Sequence, residues 1–298
     1  MTCPFLKEAQ VKYCQTAAVR KLIPIARIPR AAEKCSSAEH TTCPVYCDAP
    51  AESPTGGPCP HLRESLMQYC AAAPVAKLVP YSESVLSRCG NDSFRYCELY
   101  LSMVHPHKRA DHEDAIEMPD WLSYSANHMW LDVTEDGACH AGIDAFLSRA
   151  IGPVERVSYI WLNGRHHPTA VLTAGGIDFE VVFPNPLLIT SCNLYLRADP
   201  SRLASDPYKA GWLFEGTPLA ETNHHLLQGG EARQWMEQEQ RRINEFLQET
   251  PSSQGQLSQL AADGGLFSAG LPSLLEAGRM RALFHEFFSP FAGGKRDL

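Results

Sequence analysis

The chain has 298 residues, 44% of them hydrophobic and 20% charged, with a formal net charge of -8 and a pI near 5.8. That length gives room for two or three domains, and the composition is that of a globular protein. The acidic balance argues against non-specific nucleic-acid binding, which needs a basic footprint. No apolar run approaches the ~18 residues of a membrane-spanning helix, so no membrane span is expected.

The opening, MTCPFLKEAQ, has no basic stretch followed by an apolar one. No signal peptide is expected, and a cytoplasmic address follows, in which cysteines are kept as thiols. The same opening begins a repeat. CPFLKEAQVKYCQTAAVRKLIP returns fifty-six residues later as CPHLRESLMQYCAAAPVAKLVP. Cys3, Cys14, Cys35 and Cys43 in the first copy match Cys59, Cys70, Cys89 and Cys97 in the second. The steps between them are 11, 21 and 8 residues, then 11, 19 and 8, so only the middle step changes, as a loop would. Residues 1–47 are read as one Cys-rich module and 59–104 as another. DAPAESPTGGP (48–58) is the linker between them.

Eleven cysteines are present, nine of them in residues 1–100. In a reducing compartment this crowding points to metal rather than to disulfides. Four thiolates complete the ligand set of a structural zinc or of one 4Fe–4S cluster, because a thiol beside a cation gives up its proton readily. Each module is therefore expected to be small and helical and to hold one such centre. CPFLKEAQVKYC is expected as a short helix with a ligand near each end. Zinc modules favour close Cys-x2–4-Cys pairs, which neither matched set has. The expectation is two 4Fe–4S clusters, with two zinc ions as the alternative and a metal-free thiol core as the third reading. Ligands crossing between the copies is left open. Cys47 has no counterpart and is read as an incidental loop cysteine. Cys139 and Cys192 are read as packing residues.

HPHKRADHEDAIEM (105–118) is a charged connector. Residues 119–225 alternate strand-like runs with turns: VERVSYIWL, HPTAVLTAGG, IDFEVVFP and LLITSCNLYL. Residues 226–249 are rich in helix formers, and 250–270 read as a loose linker. A last helix is expected in 271–291, opened by Ser273 with Glu276 as a capping box and carrying a broad apolar stripe. The fold class is α+β and multidomain: two small helical Cys-rich repeats, a β-barrel and C-terminal helices.

The middle segment carries a further pattern. PDWLSYSANHMWLDV places Pro119, Leu122, Tyr124, His128 and Trp130. AGIDAFLSRAIGPVERVSYI places Gly142, Ile143, Phe146, Gly152 and Val157. DPYKAGWLFEG places Asp206, Pro207, Tyr208, Gly211, Trp212 and Leu213. In these motifs residues 119–225 resemble the glycine cleavage system H protein family, which has the biotinyl/lipoyl-carrier fold. The resemblance implies a flattened barrel of two small sheets. It also implies a lipoyl lysine at a hairpin tip some eight residues before the proline aligned with Pro184. That position is Gly176, in LTAGGIDFE, and Lys209 is the only lysine between Lys108 and Lys295. Lipoate is therefore not expected.

No P-loop, dinucleotide fingerprint or nucleophile elbow is present, and no catalytic carboxylate pair stands out, so the chain is not read as an enzyme. Its paired and clustered histidines lack the helical spacing of a zinc enzyme. The expected function is a metal-binding accessory protein for electron transfer or redox sensing. Its barrel would dock a larger protein partner, such as a redox complex, with helix 273–289 as a docking element. The alternatives are a glycine-cleavage-type carrier or accessory protein with zinc-stabilised modules, and a regulatory interaction module.

Overall fold

The computed structural model describes residues 1–17, 23–24, 33–48, 57–75, 77–79, 87–104, 116–160, 167–219, 225–248, 271 and 275–289. The expected linkers at 48–58, 105–118 and 250–270 lie wholly or mostly outside these residues. So do Ser273 of the expected capping box and His105, His107, His112, His166 and His224. The chain forms two compact units, Met1–Phe94 and Arg95–Leu298.

The first unit is built on a four-stranded sheet in the order β2-β1-β3-β4. Its strands are β1 (Leu6–Cys14), β2 (Ile23–Pro24), β3 (Leu62–Cys70) and β4 (Lys77–Val79). The helix expected over Cys3–Cys14 is thus a strand. LKEAQVKYC contains good helix formers, but helix propensity is a weak prior that tertiary pairing overrides. Here the partner is the segment's own repeat. β1 and β3 pair antiparallel over their full length, from Leu6 opposite Cys70 to Cys14 opposite Leu62. Short helices follow each strand pair, among them Glu33–Ser36, Pro44–Asp48 and a 3-10 turn at Ala38–Thr42. The two copies also turn alike: the Ser37 hydroxyl accepts from the Glu39 N–H, and the Asn91 side chain accepts from the Ser93 N–H.

The second unit contains two sheets. One runs β10-β9-β8 and the other β11-β12-β7-β6-β5-β13. The strands of the first are β8 (Arg156–Ile160), β9 (Thr169–Ala174) and β10 (Ile177–Val182). Those of the second are β5 (Ser123–Tyr124), β6 (Met129–Val133), β7 (Cys139–Ile143), β11 (Leu187–Cys192), β12 (Phe214–Pro218) and β13 (Leu227–Gln228). Every pairing is antiparallel. Strands β9 and β10 alternate buried and exposed side chains, which puts Leu172, Phe179 and Val181 in the core.

The sequence motifs explain their own conservation of shape. Trp130 Nε1 donates to the carbonyls of Ile143 (2.9 Å) and Pro207 (3.2 Å), tying all three motifs at one point. A Cβ on Gly142 would lie 2.8 Å from the Trp130 ring, so that ring needs glycine beside it. Tyr124 donates to the Pro119 carbonyl (3.0 Å). The Tyr208 hydroxyl accepts from the Ala145 N–H (3.0 Å).

Two longer helices complete the unit, Gly229–Gln248 and Ala277–Phe288. The apolar stripe of the last helix does not face outward for a partner. Met280, Leu283, Phe287 and Phe288 are buried in the barrel's own core, beside Phe146 and Phe179. This corrects the expectation that the helix is a docking element: the stripe is wide because the core takes it. No helix among the described residues is long and apolar enough to cross a membrane.

Candidate metal centre and hairpin tip

All eleven cysteines are thiols. Cys3 and Cys59, which open the two copies, are buried, and Cys14, Cys35, Cys43, Cys70, Cys89 and Cys97 are half-buried. Cys97 belongs to the second unit, where its carbonyl accepts from the Leu101 N–H. Cys47 is exposed, and its Sγ donates to the Thr41 carbonyl (3.4 Å). Cys139 and Cys192 sit in the barrel, where burial pushes their pKa values up to about 12 and about 11. Burial of this kind disfavours the thiolate.

In the first unit the Cys59 N–H donates to the Cys35 carbonyl (2.7 Å), and Cys14 lies opposite Leu62. The Cys35 pKa is raised first by burial and then by the charges of Cys59, Cys43 and Cys14. Cys14 shows the opposite shift. Burial works to raise its pKa, but the Thr16 hydroxyl, at 3.6 Å, and the Thr16 and Ala17 backbone outweigh it and lower the pKa. A thiol with hydrogen-bond donors around it is poised to ionise and bind a soft cation. Among the described residues, no three His, Cys, Asp or Glu side chains stand in a geometry that would hold a metal ion as they are. The nearby His40 is fully buried, with Nδ1 2.7 Å from the Ser37 carbonyl and its ring edge-on to Tyr46. Its sequence counterpart is Phe94, also buried, so the position is a packing site in both copies.

In the second unit, strands β9 and β10 close with Ala174 opposite Ile177 and a two-residue turn at Gly175-Gly176. Both glycines have positive φ, 57° and 72°. That is the tight hairpin turn that favours glycine at both central positions. A Cβ on Gly176 would meet nothing within 4 Å. The tip is thus open and exposed, at the position where the resemblance places a lysine, but it offers no amine. Lys209, the only lysine between Lys108 and Lys295, lies in the closing motif, half-buried.

The barrel core carries one feature that the motifs did not announce. His128, fully buried at φ 63°, sets Nδ1 2.8 Å from Asp144 Oδ2 and Nε2 3.9 Å from Glu239 Oε2. Burial alone would lower its pKa, but the two carboxylates outweigh that and raise it. Asp144 also caps the helix Ala145–Ile151 through the Leu147 N–H (2.8 Å). Glu239, from helix Gly229–Gln248, is held by Arg242 at 2.5 and 2.6 Å. His128 stands in the first motif, but its partner Glu239 lies outside the motif segment.

The barrel, the carrier-type hairpin and the three interlocked motifs define a lipoyl-carrier-like domain. Two curated relatives place it more narrowly. The glycine cleavage system H protein of Streptomyces coelicolor is 32% identical over 102 residues, 33% of this chain and 80% of that protein. Its namesake from Streptomyces avermitilis is 30% identical over 118 residues, 38% of this chain and 92% of that protein. A solved glycine cleavage system H protein from Mycobacterium marinum is 24% identical, covers 41% of this chain and 98% of its own, and has a TM-score of 0.33. No protein-family model matches. Through this domain, about a third of its length, the chain belongs to the glycine cleavage system H protein family.

Proposed function

We propose that the chain is a non-enzymatic, metal-binding accessory protein. Its duplicated N-terminal region carries two four-cysteine 4Fe–4S clusters for electron transfer or redox sensing, and its H-protein-like barrel, without a lipoyl arm, docks a protein partner. The observation that carries this reading is the repeat, in which Cys3, Cys14, Cys35 and Cys43 are matched by Cys59, Cys70, Cys89 and Cys97 and whose strands β1 and β3 pair over their full length. The glycine turn at the hairpin tip supports the second half. An amide-linked arm needs an amine at an exposed turn, and Gly175 and Gly176 supply none. Zinc in the same thiolates is the second reading, since four thiolates satisfy it equally.

The test is anaerobic purification, followed by iron, sulfide and zinc per chain, a visible spectrum and an intact mass. About eight iron and eight sulfide, with colour that bleaches on reduction and no lipoyl mass, are the expected result. About two zinc and no colour would select the second reading. Neither metal would overturn the metal assignment, and a lipoyl mass on Lys209 would overturn the accessory role.

A further inference from the structure

The pairing of the two copies decides which cysteines share a centre. β1 and β3 are equivalent strands of the repeat, and they run antiparallel about a centre at Gln10 opposite Leu66, themselves equivalent positions. Each strand's beginning therefore meets the other's end. Cys14, at the end of β1, lies opposite Leu62, whose N–H donates to the Cys59 carbonyl (2.9 Å). At the other end Cys70 lies opposite Leu6, whose N–H donates to the Cys3 carbonyl (3.0 Å). The crossing repeats at the next cysteine. Cys59 N–H donates to the Cys35 carbonyl (2.7 Å), and Cys3 N–H donates to the Cys89 carbonyl (2.9 Å). Gln15 to His61 (2.9 Å) and Ala71 to Phe5 (2.8 Å) complete the same two-fold pattern.

We infer that the thiolate centres are exchanged between the copies: Cys59 of the second copy joins Cys14 and Cys35, and Cys3 of the first copy joins Cys70 and Cys89. This deepens the metal reading above and rests on it. The opening cysteine of each copy serves the other copy, so neither copy completes a centre alone. Among the described residues these side chains do not stand as a formed cage. Binding a soft metal centre releases the thiol protons and replaces the mutual repulsion with attraction to the cation. The duplication then has a physical role, since the ribbon is closed at both ends by bonds that cross it.

Two double variants of the full chain decide the matter, each lacking the same number of thiols. Cys14→Ser/Cys59→Ser removes two ligands of one exchanged centre and is expected to retain about half of the wild-type metal. Cys3→Ser/Cys14→Ser strikes both exchanged centres and is expected to retain essentially none. The reverse pattern, with Cys3→Ser/Cys14→Ser keeping half and Cys14→Ser/Cys59→Ser losing all, would overturn the exchange while leaving the metal reading intact. If the wild-type chain binds no metal, the metal reading fails on its own, and mild diamide oxidation with disulfide mapping still tests the exchange. Disulfides joining Cys14 or Cys35 to Cys59 support it, and Cys3 joined to Cys14 contradicts it.

Discussion

The two units of this chain are held together by different means. In Arg95–Leu298 the interior is made of large side chains: Trp130, Tyr124, Phe146, Phe179, Phe183, Phe214, Phe287 and Phe288 are all but completely buried. In Met1–Phe94 the buried apolar residues among those described are Cys3, Val11, Tyr46, Cys59, Val79 and Phe94, two of them cysteines. Leu66 and Leu78 of its sheet are exposed. Among the described residues, then, the ribbon's buried apolar side chains are few and include thiols, where those of the barrel are many and include large aromatic rings. The barrel is built on buried aromatic side chains, and on the proposed reading the ribbon is held in part by what its thiols bind.

The comparison can be broken most strongly from the barrel side. Trp130→Ala should cost about 3–5 kcal/mol, through lost burial and a cavity where three motifs meet. Urea unfolding followed by near-UV circular dichroism should register that loss, while metal content per chain stays at the wild-type level. A matching loss of metal would show that the units do not stand independently.

A smaller effect concerns the buried charges. Asp144→Asn keeps a capping side chain for helix Ala145–Ile151 but leaves His128 facing fewer charges, at a cost of about 3 kcal/mol. The pH dependence follows from the directions of the shifts. His128 is raised above its ordinary 6.5, so its contribution is complete below that value and is lost as pH rises through the higher folded value. Glu239 is lowered below 4.5, so its contribution is complete above that value and is lost as pH falls through the lower folded value. Barrel stability should therefore peak between these limits. In Asp144→Asn the decline on the alkaline side should flatten, as thermal melts across pH would record.

In the ribbon, Val11→Ala removes the most deeply buried aliphatic side chain described there, at a cost of about 2 kcal/mol. Because β1 pairs with β3, the loss should appear as weaker amide protection on both strands. The smallest effect is at the hairpin tip. Gly176→Lys has room for its side chain but places a non-glycine residue at φ 72°, for about 1 kcal/mol. If the barrel is otherwise a competent carrier scaffold, this variant should gain a lipoyl mass in cells that make the modification, and the wild-type chain should not.

The barrel could be read from the sequence because its motifs are local and name their own contacts. Tyr124 reaches Pro119, five residues away, and the tip glycines mark their own turn. The buried His128–Glu239 pair could not be read, since its halves lie more than a hundred residues apart and Glu239 sits among other polar residues of a helix. The ribbon was visible as a repeat but not as a strand, because Lys7, Glu8, Ala9 and Gln10 favour a helix until a second copy offers them an edge. One signal marked the strand ends. Two equal steps of 11 residues, Cys3 to Cys14 and Cys59 to Cys70, place the cysteines near the ends of the strands whichever way these run, so the antiparallel pairing is seen only in the structure. The sequence left the last helix open between a partner and the chain's own core, because a wide apolar stripe looks the same in either case.

The most direct test of the account is hydrogen exchange on the metal-loaded chain and on the same chain stripped of metal under reducing conditions. The account predicts that amides of Leu6–Cys14 and Leu62–Cys70 lose protection when the metal is removed, while those of Met129–Val133 and Cys139–Ile143 keep theirs. Equal protection of the ribbon strands with and without metal would contradict it.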